Sequence, residues 1–378
     1  MKQLSLLIKP ASGLCNMRCS YCFYRDETAR RQMGSSGIMS PGTASKLIDN
    51  AFSSVGPDGM ISFSFQGGEP TLAGLPFFEF FLQEAGRRNP GGVRVQWAIQ
   101  TNGLELDDRW ADFLARYHFL VGLSVDGGEK THDALRLDAC GRGTYGRVRK
   151  SLDLLMSHHV DTNLLCVVNR LTAMAPKETY RALTGLHTGF LQFIPCLDPL
   201  DAERGSMDWS LTPDLYAQFL CGIFDEWYRD WEEGHYTSVR MFDDLVHMSL
   251  GMPPSTCAAC GRCGSYMVVE SDGSVYPCDF YALDTWRLGS VQDPFSELQF
   301  SETMRSFIHR SMQKPEKCST CPPRMLCFGG CPRDWVEKDG HRENYYCESI
   351  TTMLHYIWPR MTGVIHAELR ALESGMQS

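Results

Sequence analysis

The first two hundred residues alternate short apolar runs with longer stretches in which apolar residues recur every three or four positions. The runs predict strands over 4–8, 60–65, 93–99, 119–125, 163–168 and 190–195. Between them, helical periodicity predicts helices over 40–55, 76–88, 107–117, 145–158 and 176–186, the first opened by Ser40 as N-cap with Pro41 behind it. Strand–helix repetition of this kind builds right-handed βαβ crossovers around a parallel sheet. Six units are too few to close an eight-stranded barrel. The expected fold is therefore α/β, an open partial (β/α)6 barrel, with chemistry at the C-terminal strand ends.

Past this repeat, 211–234 predicts a long helix whose Tyr216, Phe219, Phe224, Trp227, Tyr228 and Trp231 read as core packing. From 255 to 347 the texture changes to nine cysteines, many turn residues and little long periodicity. A small segment so built needs metal to hold it together. A helix over 345–372 would then pack back onto the barrel. The expected division is 1–235, 236–347 and 348–378.

A length of 378 residues, 43% apolar and 21% charged, suits one large domain and a smaller one. The net charge of −9 disfavours an extended nucleic-acid footprint; the pairs Arg30-Arg31 and Arg87-Arg88 are short and read as solvated helix faces. Residues 4–8 are too short for a secretory signal, and the apolar 77–81 is broken by Glu79, so no membrane partner is expected. Sixteen cysteines in a chain with an ample core point to metal ligation in a reducing, cytoplasmic compartment. Cys140, Cys166, Cys196 and Cys221 fall in or near predicted core elements and read as small buried hydrophobes.

The chemistry starts at Cys15, Cys19 and Cys22. Three thiolates on a four-iron cubane leave one iron open to bind and cleave a ligand. A zinc knuckle would need a fourth Cys or His close by, and none follows until His118. Gly67 and Gly68, directly after the second strand, let backbone approach a ligand closely, and Glu69 could fix that loop or accept from a cationic amine. Of the nine late cysteines, Cys257, Cys260, Cys263, Cys278, Cys318, Cys321, Cys327, Cys331 and Cys347, eight would ligate two further cubanes and leave one over; all-thiolate sites also suit zinc.

The C-x3-C-x2-C spacing with Tyr21 before its last cysteine resembles the radical S-adenosylmethionine (SAM) enzymes. By that resemblance Tyr21, Gly67, Gly68 and Glu69 belong to the SAM site. Ser124 and Arg136 could meet ribose hydroxyls or the methionine carboxylate, although Arg136 could equally lie on the surface. Leu197 could pack on adenine or in the core. The late cysteines resemble the SPASM extension of these enzymes, which implies one [4Fe-4S] cluster on Cys257, Cys263, Cys278 and Cys331 and another on Cys318, Cys321, Cys327 and Cys347, with Cys260 spare.

Residues 5–12 (SLLIKPAS), 22–24 (CFY), 65–74 (FQGGEPTLAG), 100–103 (QTNG), 190–194 (FLQFI), 196–200 (CLDPL), 269–280 (VESDGSVYPCDF) and 344–347 (NYYC) resemble the anaerobic sulfatase-maturating enzymes along nearly the whole chain. That resemblance implies three [4Fe-4S] clusters, SAM, and oxidation of a cysteine or serine in a sulfatase polypeptide to Cα-formylglycine. A flavodoxin- or ferredoxin-type electron donor is implied as well. It makes Asp279 the general base, which could otherwise be a turn residue or outer hydrogen-bond acceptor. Tyr24 and Gln66 would line the substrate side, or simply pack. A groove between barrel mouth and cysteine-rich segment would take the peptide extended. The rivals are a SPASM enzyme making a thioether or an epimer, disfavoured by the roughly fourteen residues before Cys15, and a zinc-stabilised binding module.

Overall fold

The computed structural model describes residues 1–89, 91–264 and 266–375. Six parallel strands run in sequence order across a sheet: β1 Gln3–Ile8, β2 Met60–Phe65, β3 Arg94–Thr101, β4 Leu120–Ser124, β5 Thr162–Val168 and β6 Phe190–Pro195. Helices Pro41–Ser54, Leu75–Arg88, Asp108–Arg116, Tyr145–Ser157 and Pro176–Thr184 fill the crossovers. Their starts are capped as the sequence dictates. The Thr43 amide donates to Ser40 Oγ at 3.0 Å and the Trp110 amide to Asp107 at 2.9 Å, satisfying donors that an opening turn leaves bare.

The strands alternate. Leu4, Leu6, Ile8, Ile61, Phe63, Phe65 and Ile99 share one core with Leu47, Phe78 and Phe81 of the covering helices. The in-register neighbours on the opposite face are Ser64, Ala98, Gln100, Gly122 and Ser124, small or polar where a sheet covered on both sides would be apolar. At Gly122 a Cβ would come within 2.7 Å of Leu165. Leu165, the in-register neighbour of Ser124, fills the space that Gly122 leaves.

The six expected βα units stand, and the sheet continues beyond them at both edges. β7 Ser238–Val239 adds beside β6, while β8 Met267–Val269 pairs parallel with β1 and continues into antiparallel β9 Ser274–Tyr276 and β10 Gly289–Ser290. The cysteine-rich segment therefore extends the barrel's own sheet through strands of two or three residues, too short for periodicity to register. A separate hairpin joins β11 Trp335–Lys338 to β12 His341–Asn344. The helix Pro213–Glu232 buries Tyr216, Phe219, Phe224 and Trp227, with Tyr228 and Trp231 packed against that core. The closing helix Cys347–Gly375 lies along it.

Two expectations fail. Cys140 is exposed, because it sits in a turn between Leu137 and Gly143 and not in a core element; Cys166 and Cys196 are buried and Cys221 half-buried. Arg31 is no solvated face: its side chain is inside, between Glu27 and Glu270. Helices Phe23–Ala29, Arg240–Ser249 and Glu302–Met312 were not foreseen either. Among the described residues no helix is long and apolar enough to cross a membrane, and the sixteen cysteines are free thiols.

Candidate active site

The loop after β1 carries the first three thiols, Cys15 exposed and Cys19 and Cys22 half-buried. The β2 loop laces to it: Gly68 N donates to Ser12 O at 2.8 Å and Glu69 N to Leu14 O at 2.7 Å. A Cβ on Gly68 would stand 2.0 Å from Leu14 O, and Gly67 holds φ +127° beside Lys9 and Ser12. The close approach that these glycines permit is to the cysteine loop's own backbone. Glu69 fixes the arrangement. One carboxylate oxygen accepts from Thr71 N, Thr71 Oγ1 and Thr101 Oγ1, and the other from Asn102 N at 2.7 Å. Of its two sequence readings, the geometry favours loop fixation.

The Cys15 sulfur is enclosed although the residue as a whole is exposed, and this burial, then the nearby Glu69, Cys19 and Cys22, push the thiol up to about 12, against the Met17 amide that donates to it. Cys15 and Cys19, crowded thiols that resist ionising, suit a group that brings positive charge to the cysteine loop. Asn102, unremarked in the sequence, donates to Cys15 Sγ at 3.7 Å.

Behind these thiols Tyr21 donates to Asp126 Oδ2, and Arg136 Nη1 donates to the Tyr21 hydroxyl at 2.9 Å. Arg136 is buried, not on the surface, and Asp126 also accepts from Val167 N at 2.9 Å. Burial raises Cys19, and the Arg136 guanidinium opposes it. Asp126 escaped the sequence reading although a lone acid ending an apolar strand is a signal in itself. Ser124, at the end of β4, and Leu197, two residues past β6, are half-buried at the same C-terminal strand ends.

The second focus is Asp279, immediately after Cys278 and 5% exposed. Tyr24 Oη donates to its Oδ1 at 2.5 Å, Gln66 Nε2 to its Oδ2 at 2.9 Å, and Lys9 Nζ lies 3.0 Å from Oδ1. The three residues singled out here, Asp279, Tyr24 and Gln66, thus meet in one place. Lys9 was missed. It is fully buried, also 3.3 Å from Glu270 and 3.6 Å from Glu27, with Nζ 4.3 Å from the centre of the Tyr24 ring. Its signal was a lysine ending an apolar strand run, where a buried cation must have carboxylate partners.

Charge in this set is divided unequally. Burial pulls Lys9 down, but Asp279, Glu270 and Glu27 together carry it above its usual value. Burial and the repulsion of Asp279 raise Glu27 to about 7 despite Lys9 and Arg31. Glu270, closer to both cations, is lowered although burial works against it. Burial and the neighbouring Asp279 keep the Tyr24 hydroxyl protonated.

The late thiols fall into two neighbourhoods. Cys331 feels Cys278 and Cys257, and Cys278 and Cys257 both feel Cys263; Cys327 and Cys318 both feel Cys347 and Cys321. Cys260, exposed, neighbours Cys257. Tyr266 ties the first set to Asp279, donating to Cys278 Sγ at 3.6 Å and accepting from Asp279 N at 3.3 Å. Cys257, Cys263 and Cys331 also line a small cavity. Among the described residues no trio of His, Cys, Asp or Glu converges on a single-ion site. The fit is to sets of sulfurs, which suits a cluster that offers one iron to each thiolate. Next to Cys347, an open cavity of about 530 Å³ separates the loop after β6 from the β11–β12 hairpin, lined by Leu200, Arg204, Arg333, Trp335 and Glu343.

An open parallel barrel with three thiols at its mouth, continued by a cysteine-rich segment, defines a radical SAM enzyme with an iron–sulfur extension. Residues 10–183 match the Radical SAM superfamily and 257–322 an iron–sulfur cluster-binding domain, SPASM. The chain is 42% identical to the cysteine-type anaerobic sulfatase-maturating enzyme of Clostridium perfringens (strain 13 / Type A), over 96% of this chain and 99% of that one. Identity to the serine-type enzyme of Bacteroides thetaiotaomicron is 28%, over 95% and 91%. A solved structure described as native anSMEcpe with bound AdoMet and Cp18Cys peptide superposes with a TM-score of 0.91 at 41% identity, covering 97% of this chain and 99% of that one. The chain belongs to the anaerobic sulfatase-maturating enzymes.

Proposed function

We propose that this enzyme oxidises a cysteine side chain in a sulfatase polypeptide to Cα-formylglycine. The observation that carries the reading is the Asp279 carboxylate, held at the barrel mouth by Tyr24, Gln66 and Lys9. Cysteine as the target is supported by the greater likeness to cysteine-type than to serine-type relatives.

Cys15, Cys19 and Cys22 would hold one [4Fe-4S] cluster; Cys257, Cys263, Cys278 and Cys331 a second; Cys318, Cys321, Cys327 and Cys347 a third. With SAM bound, the first supplies a 5′-deoxyadenosyl radical able to take a Cβ hydrogen. Asp279 then accepts the thiol proton while Tyr24 and Gln66 fix its two oxygens, so the base is aimed before the target arrives. The auxiliary clusters that the late cysteines would hold could take up the remaining electron, and water would replace the sulfur of the resulting thioaldehyde, releasing it as hydrogen sulfide. Arg136, through Tyr21, and Ser124, Gly67, Gly68, Glu69 and Leu197 build the SAM side. The peptide would lie in the cavity by Arg204 and Arg333, because Arg333 also feels Asp26 and Tyr281 beside the base.

Residues 1–235 form the barrel unit, 236–347 the cysteine-rich unit and 348–378, of which 376–378 lie outside the described residues, the closing element; the enzyme works in the cytoplasm with a flavodoxin- or ferredoxin-type donor. The test incubates anaerobically reconstituted enzyme, SAM and reductant with a Cys-x-Pro-x-Arg peptide and follows peptide mass. Loss of sulfur with gain of an aldehyde is expected. Deoxyadenosine without peptide change, or a product that keeps its sulfur, would refute the assignment.

A further inference from the structure

Lys314 has no carboxylate partner within ion-pair distance among the described residues, although it is half-buried. It lies just past the helix Glu302–Met312, and its side chain helps line the small cavity of Cys257, Cys263 and Cys331. On its other side it reaches the second thiol set. A Cβ built on Gly329 would stand 3.3 Å from Lys314 Cδ and 3.4 Å from Cys318 Sγ. Its ammonium lies 5.3 Å from the centre of the Trp335 ring. The opposite charges that it feels are thiols of both sets, Cys263 and Cys331 of one, Cys318 and Cys327 of the other. Lys317, by contrast, is paired with Glu343 at 2.5 Å and feels Cys347 and Cys318 of the second set.

We propose that Lys314 is a positioning residue for the oxidation step, a fixed positive charge between the two auxiliary sites that makes both easier to reduce. This rests on the cluster assignment above. After hydrogen abstraction from Cβ the substrate gives up its thiol proton, to Asp279, and one electron, for which a cluster held by four thiolates would be the acceptor. Such a cluster is anionic and becomes more so on reduction, so a cation beside it stabilises the reduced form and draws the electron away from the substrate.

The test is an anaerobic redox titration of the reconstituted holoenzyme, followed by electron paramagnetic resonance, with iron counted per chain. In Lys314→Met the reduction equilibrium constants of both auxiliary clusters should fall about tenfold, or about 59 mV for a one-electron couple, with the N-terminal cluster unmoved. Lys314→Arg should stay near wild type, and Lys317→Met should shift the second auxiliary site only. Unchanged potentials in Lys314→Met, or an equal shift in Lys314→Arg, would overturn the proposal. Lys314→Gln is carried in parallel. If both neutral variants lose iron while Lys314→Arg keeps it, the charge serves assembly instead and the proposal fails. A wild-type enzyme holding only about four irons, not about twelve, would refute the cluster assignment itself.

Discussion

Replacing Lys9 by methionine keeps the bulk of the side chain and deletes its charge. Lys9 and Arg31 face Glu27, Glu270 and Asp279, so two cations balance three carboxylates inside the protein. Without the ammonium, Glu27 and Asp279 repel each other with only Arg31 between the set and an uncompensated excess. Removing one partner from a buried ion network destabilises by about 3–5 kcal/mol; here the lysine is fully buried, and its contacts of 3.0, 3.3 and 3.6 Å place the variant in that range. Anaerobic urea unfolding measures it. Lys9→Met/Glu27→Gln should recover about 1–3 kcal/mol, because burial and Asp279 already make Glu27 reluctant to ionise, unlike Glu270. In the assay, SAM cleavage should persist while aldehyde falls about tenfold to a hundredfold, a fraction of what a general base contributes. If Lys9→Met unfolds within about 1 kcal/mol of wild type, as an exposed bridge would, or if the double variant recovers nothing, the buried set does not hold Asp279.

Three further outcomes follow from the same geometry. Asp279→Asn should still yield deoxyadenosine yet lower aldehyde on the order of a hundredfold or more; undiminished product by mass spectrometry would remove the base. Gly68→Ala, whose methyl would lie 2.0 Å from Leu14 O, should displace the cysteine loop, and iron analysis should show loss of the N-terminal cluster with the other two retained. Glu27 is raised from 4.5 to about 7 on folding, so the folded state binds its proton more tightly and this residue's contribution is most favourable below about 4.5. It is withdrawn as pH rises to about 7, by about 3 kcal/mol at 1.36 kcal/mol per unit. Glu27→Gln should therefore flatten the fall in stability between pH 5.5 and 7; an unaltered slope in denaturation midpoints would contradict it.

The six long strands and their helices were legible because apolar period and caps act locally: Ser40 and Asp107 start helices wherever the chain goes. The thiols were legible for a related reason, since ligand spacing is a sequence property. What stayed hidden depends on distance along the chain. Arg31 looked like a solvated face because its partner Glu270 lies 239 residues away. Lys9 meets Asp279 only after β8 pairs with β1, and a three-residue strand leaves no periodic trace. Cys140 misled in the opposite sense, because an apolar residue type was read as core where a turn exposes it.

That pairing is also what builds the base. Ile8 aligns with Val269, and Lys9 N donates to Val269 O at 2.8 Å, which fixes Lys9 beside the turn leading to Cys278 and Asp279. A shift of one residue in this register would turn Lys9 to the other face of the sheet and leave three acids with Arg31 alone. The barrel supplies Lys9, Tyr24 and Gln66, the cysteine-rich segment supplies Asp279 and Glu270, and neither half holds a competent carboxylate alone. Asp279 thus sits one residue from the thiol Cys278. Sheet continuity, not a flexible docking of two domains, is what brings that carboxylate and that thiol to one place.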